Sequence, residues 1–503
     1  MRIIKNRSNV VAALILIVLV SSLALAQGGV QPGQGPQSTK GAVIKGKAPV
    51  NKEVLKVKLP KAQEATLKNG LRVILLPSNK VPTFNMQLVV LAGGLADKPD
   101  YHGLAASTAV LLREGTKTRS SKDIAEQVDT LGATFNANST LSSFTSTIST
   151  SGLVENLDQT LNLFADVVRN PTFPQDEVDK YKKRVLPQLQ LQRSNANFLA
   201  LEQFLRAIYG TSHPASFNSP PVESIKKLTT KDLAEFHSTY YRPNNAILAI
   251  VGDVKLKDIM PKLEKVFGDW EKGNVPTINI PPAPAQEGAR IFLIDRPGSV
   301  QTVLQLGTLG IERTSLDYFA LQLADKVLGG GPSARLFMNL REDKGYTYGA
   351  YSNFTSGKFR GVWVSSAQVR TEVTEGAMKE FLYELNRIRT ETVPADELDN
   401  AKRSIIGSFA LSLEQPNTLL QNIITQKLYN LPADYWDTYP LKVSAITAAD
   451  VQKAAQKYLD MDHLQIVAVG DASRARDVLS KYGKVEVYDA DGKPVAGPDT
   501  NNK

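Results

Sequence analysis

Residues 72–76, RVILL, return 218 positions later as RIFLI at 290–294. Leu228-Thr229 with Asp232 returns at the same shift as Ile446-Thr447 with Asp450, and Ile247–Asp253 (ILAIVGD) returns as Gln465–Asp471 (QIVAVGD). Three matches at one shift identify a duplicated unit, so the 503-residue chain has to fold as two similar domains rather than around one large core. The repeats place a first domain at 61–270 and a second at 288–485, joined by a linker, 271–287, that carries four prolines. Each unit opens on an apolar strand pair, runs through long helical stretches such as 153–169 and 176–210, and closes on a buried strand ended by Gly-Asp. Strands and helices mixed in that order predict an α+β fold: two homologous domains, each an antiparallel-rich sheet packed with helices.

The ends of the chain read differently. Arg2, Lys5 and Arg7 precede an apolar run, residues 10–26, that finishes Ala24-Leu25-Ala26. That is the pattern of a signal peptide, 1–26, so cleavage is expected before Gln27. The mature protein is then exported, periplasmic or secreted, with no stable membrane anchor. Residues 27–60, rich in Gly, Pro and Gln, read as a disordered linker, and 486–503 as a polar tail. The net charge is +9, and the leader holds three of the positive charges and no acid, which leaves +6 on the mature chain. No basic stripe with interleaved aromatics stands out, so nucleic acid is not an expected partner. Cysteine is absent, which removes disulfides, thiolate metal sites and cysteine nucleophiles. Only four histidines remain, His102, His213, His237 and His463, and each reads as a surface or structural residue.

The stretch GLAASTAVLLREGT, residues 103–116, is a helix-length apolar run opened by a glycine and closed by Gly115-Thr116. On its own it reads as a buried helix. It keeps company with VVLAGG (89–94), LGATFNANST (131–140), NPTFPQDEVDKYKKRVL (170–186), LTTKDLAEFHSTYYRPNNAILAIVGDV (228–254) and VLGGGPSARLFMNLREDKGYTYGA (327–350). With these the chain resembles the pitrilysin/insulinase family of zinc metallopeptidases, in the branch close to the mitochondrial processing peptidase. The resemblance covers nearly the whole mature sequence.

In that family the helix between the opening Gly and the closing Gly-Thr carries His-x-x-Glu-His. Residues i and i+4 share a helix face, so both imidazoles reach one zinc, and the Glu beside them is the general base for the bound water. A Glu from a second helix completes the ligands. The resemblance implies that Ala106, Ala109 and Val110 stand at the His, Glu and His positions, and Gln188 where the second-helix Glu belongs. No metal is therefore expected in this chain. His102 lies near but precedes the glycine and has no histidine partner four residues on.

In two-chain members of the family one subunit holds zinc, and the other supplies an Arg and a Tyr, seven residues apart, near the scissile bond. LREDKGYTY provides Arg341 and Tyr348 at that spacing. Lys344 and Gly345 mark a helix end, which puts Tyr348 on the strand that follows, able to fold back beside Arg341. On residue type alone the same pair reads as a surface arginine and a packed tyrosine, with Tyr346 and Tyr351 as rivals. Asn136 and Ala137 match the family's edge strand, to which a substrate peptide adds as a further strand. The triple glycine 329–331 lacks the Gly-Lys-Ser/Thr of a phosphate-binding loop, and no Gly-x-Ser-x-Gly elbow is present.

These readings converge on a non-catalytic, substrate-binding subunit of an exported heterodimeric zinc metallopeptidase. It would supply Arg341 and Tyr348, with zinc held by a homologous partner subunit and a peptide or small protein as substrate. The alternative is a catalytically inactive structural or peptide-binding protein of the same fold.

Overall fold

The computed structural model describes residues 53–495. The signal peptide 1–26, residues 27–52 of the expected linker and residues 496–503 of the tail lie outside the described residues. The first sheet is built from β1 Gln63–Thr66, β2 Arg72–Pro77, β3 Thr83–Val90, β4 Thr134–Ser139, β5 Ser146–Leu153 and β6 Ala246–Gly252, in the spatial order β1-β2-β6-β3-β5-β4. The second half contributes β7 Arg290–Asp295, β8 Gln301–Leu309, β9 Ile311–Glu312, β10 Thr347–Phe354, β11 Ser356–Gly357, β12 Val362–Arg370, β13 Gln465–Gly470 and β14 Val485–Tyr488. Six of these form a sheet in the order β10-β12-β8-β13-β7-β14, while β9 and β11 pair with each other.

The duplication is exact down to hydrogen-bond register at the centre of both sheets. Arg72 lies opposite Ile247 in the parallel β2–β6 pair, and Arg290 opposite Gln465 in the parallel β7–β13 pair. Val89 faces Ile247 across the antiparallel β3–β6 pair as Gly307 faces Gln465 across β8–β13. Every one of these positions moves by the 218 residues of the sequence repeat. β6 and β13 are central and covered on both faces, which is why ILAIVG and QIVAVG are buried throughout. The outermost strand breaks the likeness. β1 comes from the start of its unit and runs antiparallel to β2, whereas β14 comes from the end of its unit and runs parallel to β7. The repeated Thr-x-x-Asp signals are helix starts. Thr229 and Thr447 each accept the N–H of the aspartate three residues on, and Asp232 and Asp450 bond back, closing two capping boxes.

The helical stretch expected at 153–169 forms as Leu157–Arg169 after one 3₁₀ turn, and that at 176–210 forms as two helices, Gln175–Gln192 and Ala196–Tyr209. The break comes at Asn195, whose side-chain oxygen accepts the N–H groups of Asn197 and Phe198 and so starts a new helix in a new direction. That turn carries the second helix out of its own half. Leu199, Phe204 and Ile208 pack against Phe292, Val303 and Val467 on the second sheet. Gly307 makes the room, since a Cβ there would stand 2.6 Å from the Phe204 ring. The matching helix of the other half, Pro416–Leu428, does the reverse, with Leu420, Ile423 and Ile424 against Ile74, Val89 and Ile247 of the first sheet. Each sheet is thus covered on one face by helices of its own half and on the other by a helix exchanged with its twin.

The connecting segments lie along the surface of this pair. Residues 271–287 carry no helix or strand, and Pro281 O and Gly273 O are held by His213 and Asn244 side chains. Residues 53–60 are also without regular structure, yet the Leu59 N–H donates to Asp437, and Val57 and Leu59 pack against the second core. Among the described residues no helix is long and apolar enough to cross a membrane.

Candidate functional site

The apolar helix of residues 103–116 forms at Leu104–Leu111. Gly103 opens it at φ +99°, a left-handed conformation that suits glycine, and a Cβ there would meet the Pro220 ring at 2.7 Å. A glycine offers no capping side chain, so the cap comes from further back. The Asp97 carboxylate accepts the N–H of Gly103 at 2.6 Å and of Ala105 at 2.8 Å. Burial pushes the Asp97 carboxyl up to about 7, against the pull of those backbone N–H groups.

Ala106 and Val110, one turn apart, are half-buried on a common face, and Ala109 is buried. The neighbouring helix Gln175–Gln192 is tied to this one by the Ser107 and Tyr181 hydroxyls, 2.9 Å apart. Gln188 lies two turns beyond Tyr181 and is exposed. The donor set does not fit zinc: alanine and valine have no lone pair to give, and an amide is a poor replacement for a carboxylate. Among the described residues no three His, Asp or Glu side chains stand close enough to hold a metal ion.

The four histidines are each held elsewhere. His102 stacks on Phe217, with centroids 3.8 Å apart. His213 accepts the Ala215 N–H at Nδ1 and donates from Nε2 to Pro281 O. His463 pairs with Asp460 at 2.6 Å. His237 donates from Nε2 to Val168 O at 2.8 Å and stacks on Tyr241. Desolvation lowers His237 from 6.5 to about 4, outweighing its bond to Val168. The unfolded chain takes up this proton near pH 6.5 and the folded chain only near 4, so the stabilisation is present above 6.5 and lost as pH falls to 4. The expected loss is on the order of 3 kcal/mol. Asp97 runs in the opposite sense, its contribution fading as pH rises from 3.8 towards 7. Comparing denaturant midpoints of the wild type and His237→Gln at pH 4.5 and 7 isolates the histidine. An unchanged pH slope in the variant would exclude it.

The second candidate group lies on the second unit. After the Gly330-Gly331 turn a short helix, Arg335–Phe337, widens into a π-helical turn, Met338–Asp343. It ends at Lys344, and Gly345 follows at φ +63°, the helix end that Lys344-Gly345 predicts. The Arg341 guanidinium sits 4.7 Å over the Phe337 ring and 3.2 Å from a Glu342 oxygen. Tyr348 is on β10, the strand that follows, and is 76% exposed.

No hydrogen bond joins Tyr348 to Arg341, and a β-bulge lies at this point of the strand. The register slips between Thr347, opposite Val369, and Ala350, opposite Ala367, so Tyr348 and Gly349 share one partner residue. The Thr347 hydroxyl holds the bulge, donating to Gln368 O at 2.7 Å and accepting the Gly349 N–H at 3.2 Å. Thr347 faces inward, so Tyr348, next along the strand, projects outward from the edge, its hydroxyl without a hydrogen-bond partner among the described residues. The rivals are placed apart. Tyr346 packs against the second core and Tyr351 lies against Phe337, centroids 5.6 Å apart. Sequence reading missed the Thr347 bulge, for which Thr-x-Gly on a strand is the only visible signal.

Asn136 and Ala137 lie on β4, opposite Ser149 and Ile148 of β5. Among the described residues β4 is the edge of its sheet, with its other side unpaired. Asn136 is exposed and Ala137 packs partly against the first core. Arg113, just past the apolar helix, reaches Phe135 O of the same strand. The structure thus gathers Ala106, Ala109, Val110, Asn136 and Ala137 on the first unit and Arg341 with Tyr348 on the second. β4 and β10 are counterparts, each the free edge beyond the antiparallel hairpin of its sheet.

Duplicated sheet-and-helix units with exchanged helices, and an apolar helix closed by Gly-Thr beside an edge strand, define a peptidase-type scaffold. The chain belongs to the insulinase family, Peptidase family M16. Residues 72–217 match the profile of Insulinase (Peptidase family M16), and residues 227–405 that of Peptidase M16 inactive domain. It is 31% identical to a solved peptidase M16 inactive domain from Pseudomonas fluorescens, covering 82% of this chain and 98% of that one with a TM-score of 0.76. A protease structure from Helicobacter pylori shares the fold, at 24% identity, a TM-score of 0.74, and coverage of 82% and 100%. Among curated proteins, an uncharacterized zinc protease of Rickettsia bellii is 27% identical over 69% of this chain and 83% of its own. Zinc protease PqqE of Helicobacter pylori is 27% identical over 80% and 90%.

Proposed function

We propose that this chain is the non-catalytic, substrate-binding subunit of an exported heterodimeric zinc metallopeptidase, with zinc and the general base on a homologous partner. The observation that carries this reading is the pairing of two facts in one peptidase-family scaffold. The positions that ligate zinc in the family hold Ala106, Val110 and Gln188, while the second unit carries Arg341 on its π-helical turn and an exposed Tyr348 on the edge strand that follows. Zinc supplied by the partner would activate the attacking water. The role of this chain is to bind and orient. Tyr348 donates its hydroxyl proton in a hydrogen bond to the oxygen that gains charge as the peptide carbonyl is attacked. Arg341, charged at any working pH, donates to a substrate carbonyl. β4, through the free main-chain edge at Asn136 and Ala137, takes an extended peptide as an added strand.

Two measurements bear on this directly. The purified chain is expected to hold no stoichiometric zinc and to cleave no peptide, and chelator-sensitive cleavage with about one zinc per chain, as family sites bind it, would overturn the proposal. The exported chain is expected to begin at Gln27, which N-terminal mass analysis reads; a retained 1–26 segment in the membrane fraction would contradict export as a free protein. A second reading, a purely structural or peptide-binding protein, draws on the same missing ligands, and the Arg341 and Tyr348 variants below separate the two.

A further inference from the structure

Between the two units lies a cavity of about 580 Å³, within the range of small-ligand sites. It is built from matching pieces of each half. One wall is the β4–β5 hairpin tip with Phe144, and the opposite wall is the loop from β10 to β12 with Lys358, Phe359 and Arg360. The last residues of the two exchanged helices, Tyr209 and Leu428, close it from below, and the 280–283 stretch of the interdomain linker crosses it. None of the residues assigned above to metal, oxyanion or edge-strand roles lines it.

We propose that this cavity binds a short peptide ending in an apolar residue with a free carboxylate. The apolar part of the site is Phe144 and Phe359, 6.4 Å apart in an edge-on pair, with Leu309 and Pro282. Among the described residues three charged ones line the cavity, Lys358, Arg360 and Glu312, so cations are in excess. Both ring nitrogens of His213 are already engaged, Nδ1 by the Ala215 N–H and Nε2 by Pro281 O. Neither cation has a carboxylate partner among the described residues. Lys358 rests its ammonium over the Phe144 ring at 3.9 Å, and Arg360 spends only its Nε, on Gly310 O, leaving both terminal nitrogens of the guanidinium for a ligand. The Arg360 main chain is itself fixed, since its carbonyl accepts the Tyr209 hydroxyl at 2.9 Å.

An apolar body flanked by paired unneutralised cations fits an apolar group that ends in a carboxylate. The hydroxyls of Ser142 and Ser356 decide between a peptide and an alkyl acid. Both residues line the cavity, their hydroxyls without hydrogen-bond partners among the described residues, and a peptide backbone satisfies them where a hydrocarbon chain would only strip their water.

Calorimetric titration of the mature chain with acetyl-Leu-Phe-Leu, with the same peptide as its C-terminal amide, and with dodecanoate tests this. The free acid is expected to bind at least about ten-fold more tightly than the amide, the effect of one charge-assisted contact. Lys358→Gln with Arg360→Gln should erase that difference. Both substituted cations are exposed, and an unchanged thermal midpoint confirms that the fold is kept. Equal affinity for acid and amide, or binding of dodecanoate without the peptide, overturns the proposal. So does an acid-over-amide preference that persists in the Lys358→Gln, Arg360→Gln variant, which would place the peptide elsewhere on the chain.

Discussion

Tyr348→Phe and Arg341→Ala, each assembled with a zinc-bearing homologous partner, are expected to lose about 100- to 1,000-fold in kcat, with the partner's zinc content and the complex intact. The size follows from what each variant removes. A donor aimed at a developing oxyanion acts in a water-poor site where no solvent molecule replaces it in time, so its whole contribution falls on the transition state. The geometry supplies internal controls. Tyr346 packs against the second core, with its hydroxyl beside Gly376, so Tyr346→Phe should change little beyond stability. Tyr351→Phe keeps the ring that lies against Phe337 and should also be mild. A general folding defect would weaken assembly in all of these variants alike. Full activity of the Tyr348 and Arg341 variants in an assembled complex would leave this chain a scaffold and remove the shared site.

Phe204→Ala is expected to destabilise the protein by about 3–5 kcal/mol, the cost of emptying a fully buried aromatic site. The informative point is where the loss appears. Phe204 belongs to the first half of the chain, yet its ring fills the space that Gly307 leaves against the second sheet. Hydrogen exchange should therefore show weakened protection in β8 and β13 rather than in β3 and β6. By the same logic the two halves should not fold alone. A fragment of residues 53–270 lacks Leu420, Ile423 and Ile424, leaving one face of its sheet bare, and it also carries the helix Ala196–Tyr209 with nothing to cover. It is expected to aggregate when expressed by itself and to become soluble when co-expressed with residues 271–495. A cooperatively folded 53–270 fragment, or protection lost only from the first sheet in Phe204→Ala, would show that the exchanged helices are ornamental to stability.

Much of this was legible in the sequence because it depends on local pattern repeated at a fixed interval. The 218-residue shift gave the two units, their central strands and their register together, since a side-chain period of two lets only one register bury ILAIVGD and QIVAVGD. Thr229 and Thr447 announced helix starts through a three-residue spacing, and Lys344-Gly345 announced a helix end. The chemistry missing from the apolar helix was equally plain, because whether a side chain owns a lone pair is a matter of residue identity alone.

What the sequence could not fix is which surfaces meet. Nothing in ANFLALEQFLRAIY says that it covers the other half's sheet. Its apolar face would suit either, and the choice was made by the break at Asn195 and the space above Gly307. The spacing of Arg341 and Tyr348 predicted a pair folded together, but with Thr347 facing inward Tyr348 points outward from the edge strand, where another molecule can meet it. The cavity between the hairpin tips has no sequence signature either, because its walls come from segments more than a hundred residues apart. Residue type and period specify each element and its buried face. Pairing those faces is settled by shape and volume across the whole molecule, and those exist only once the chain has closed on itself.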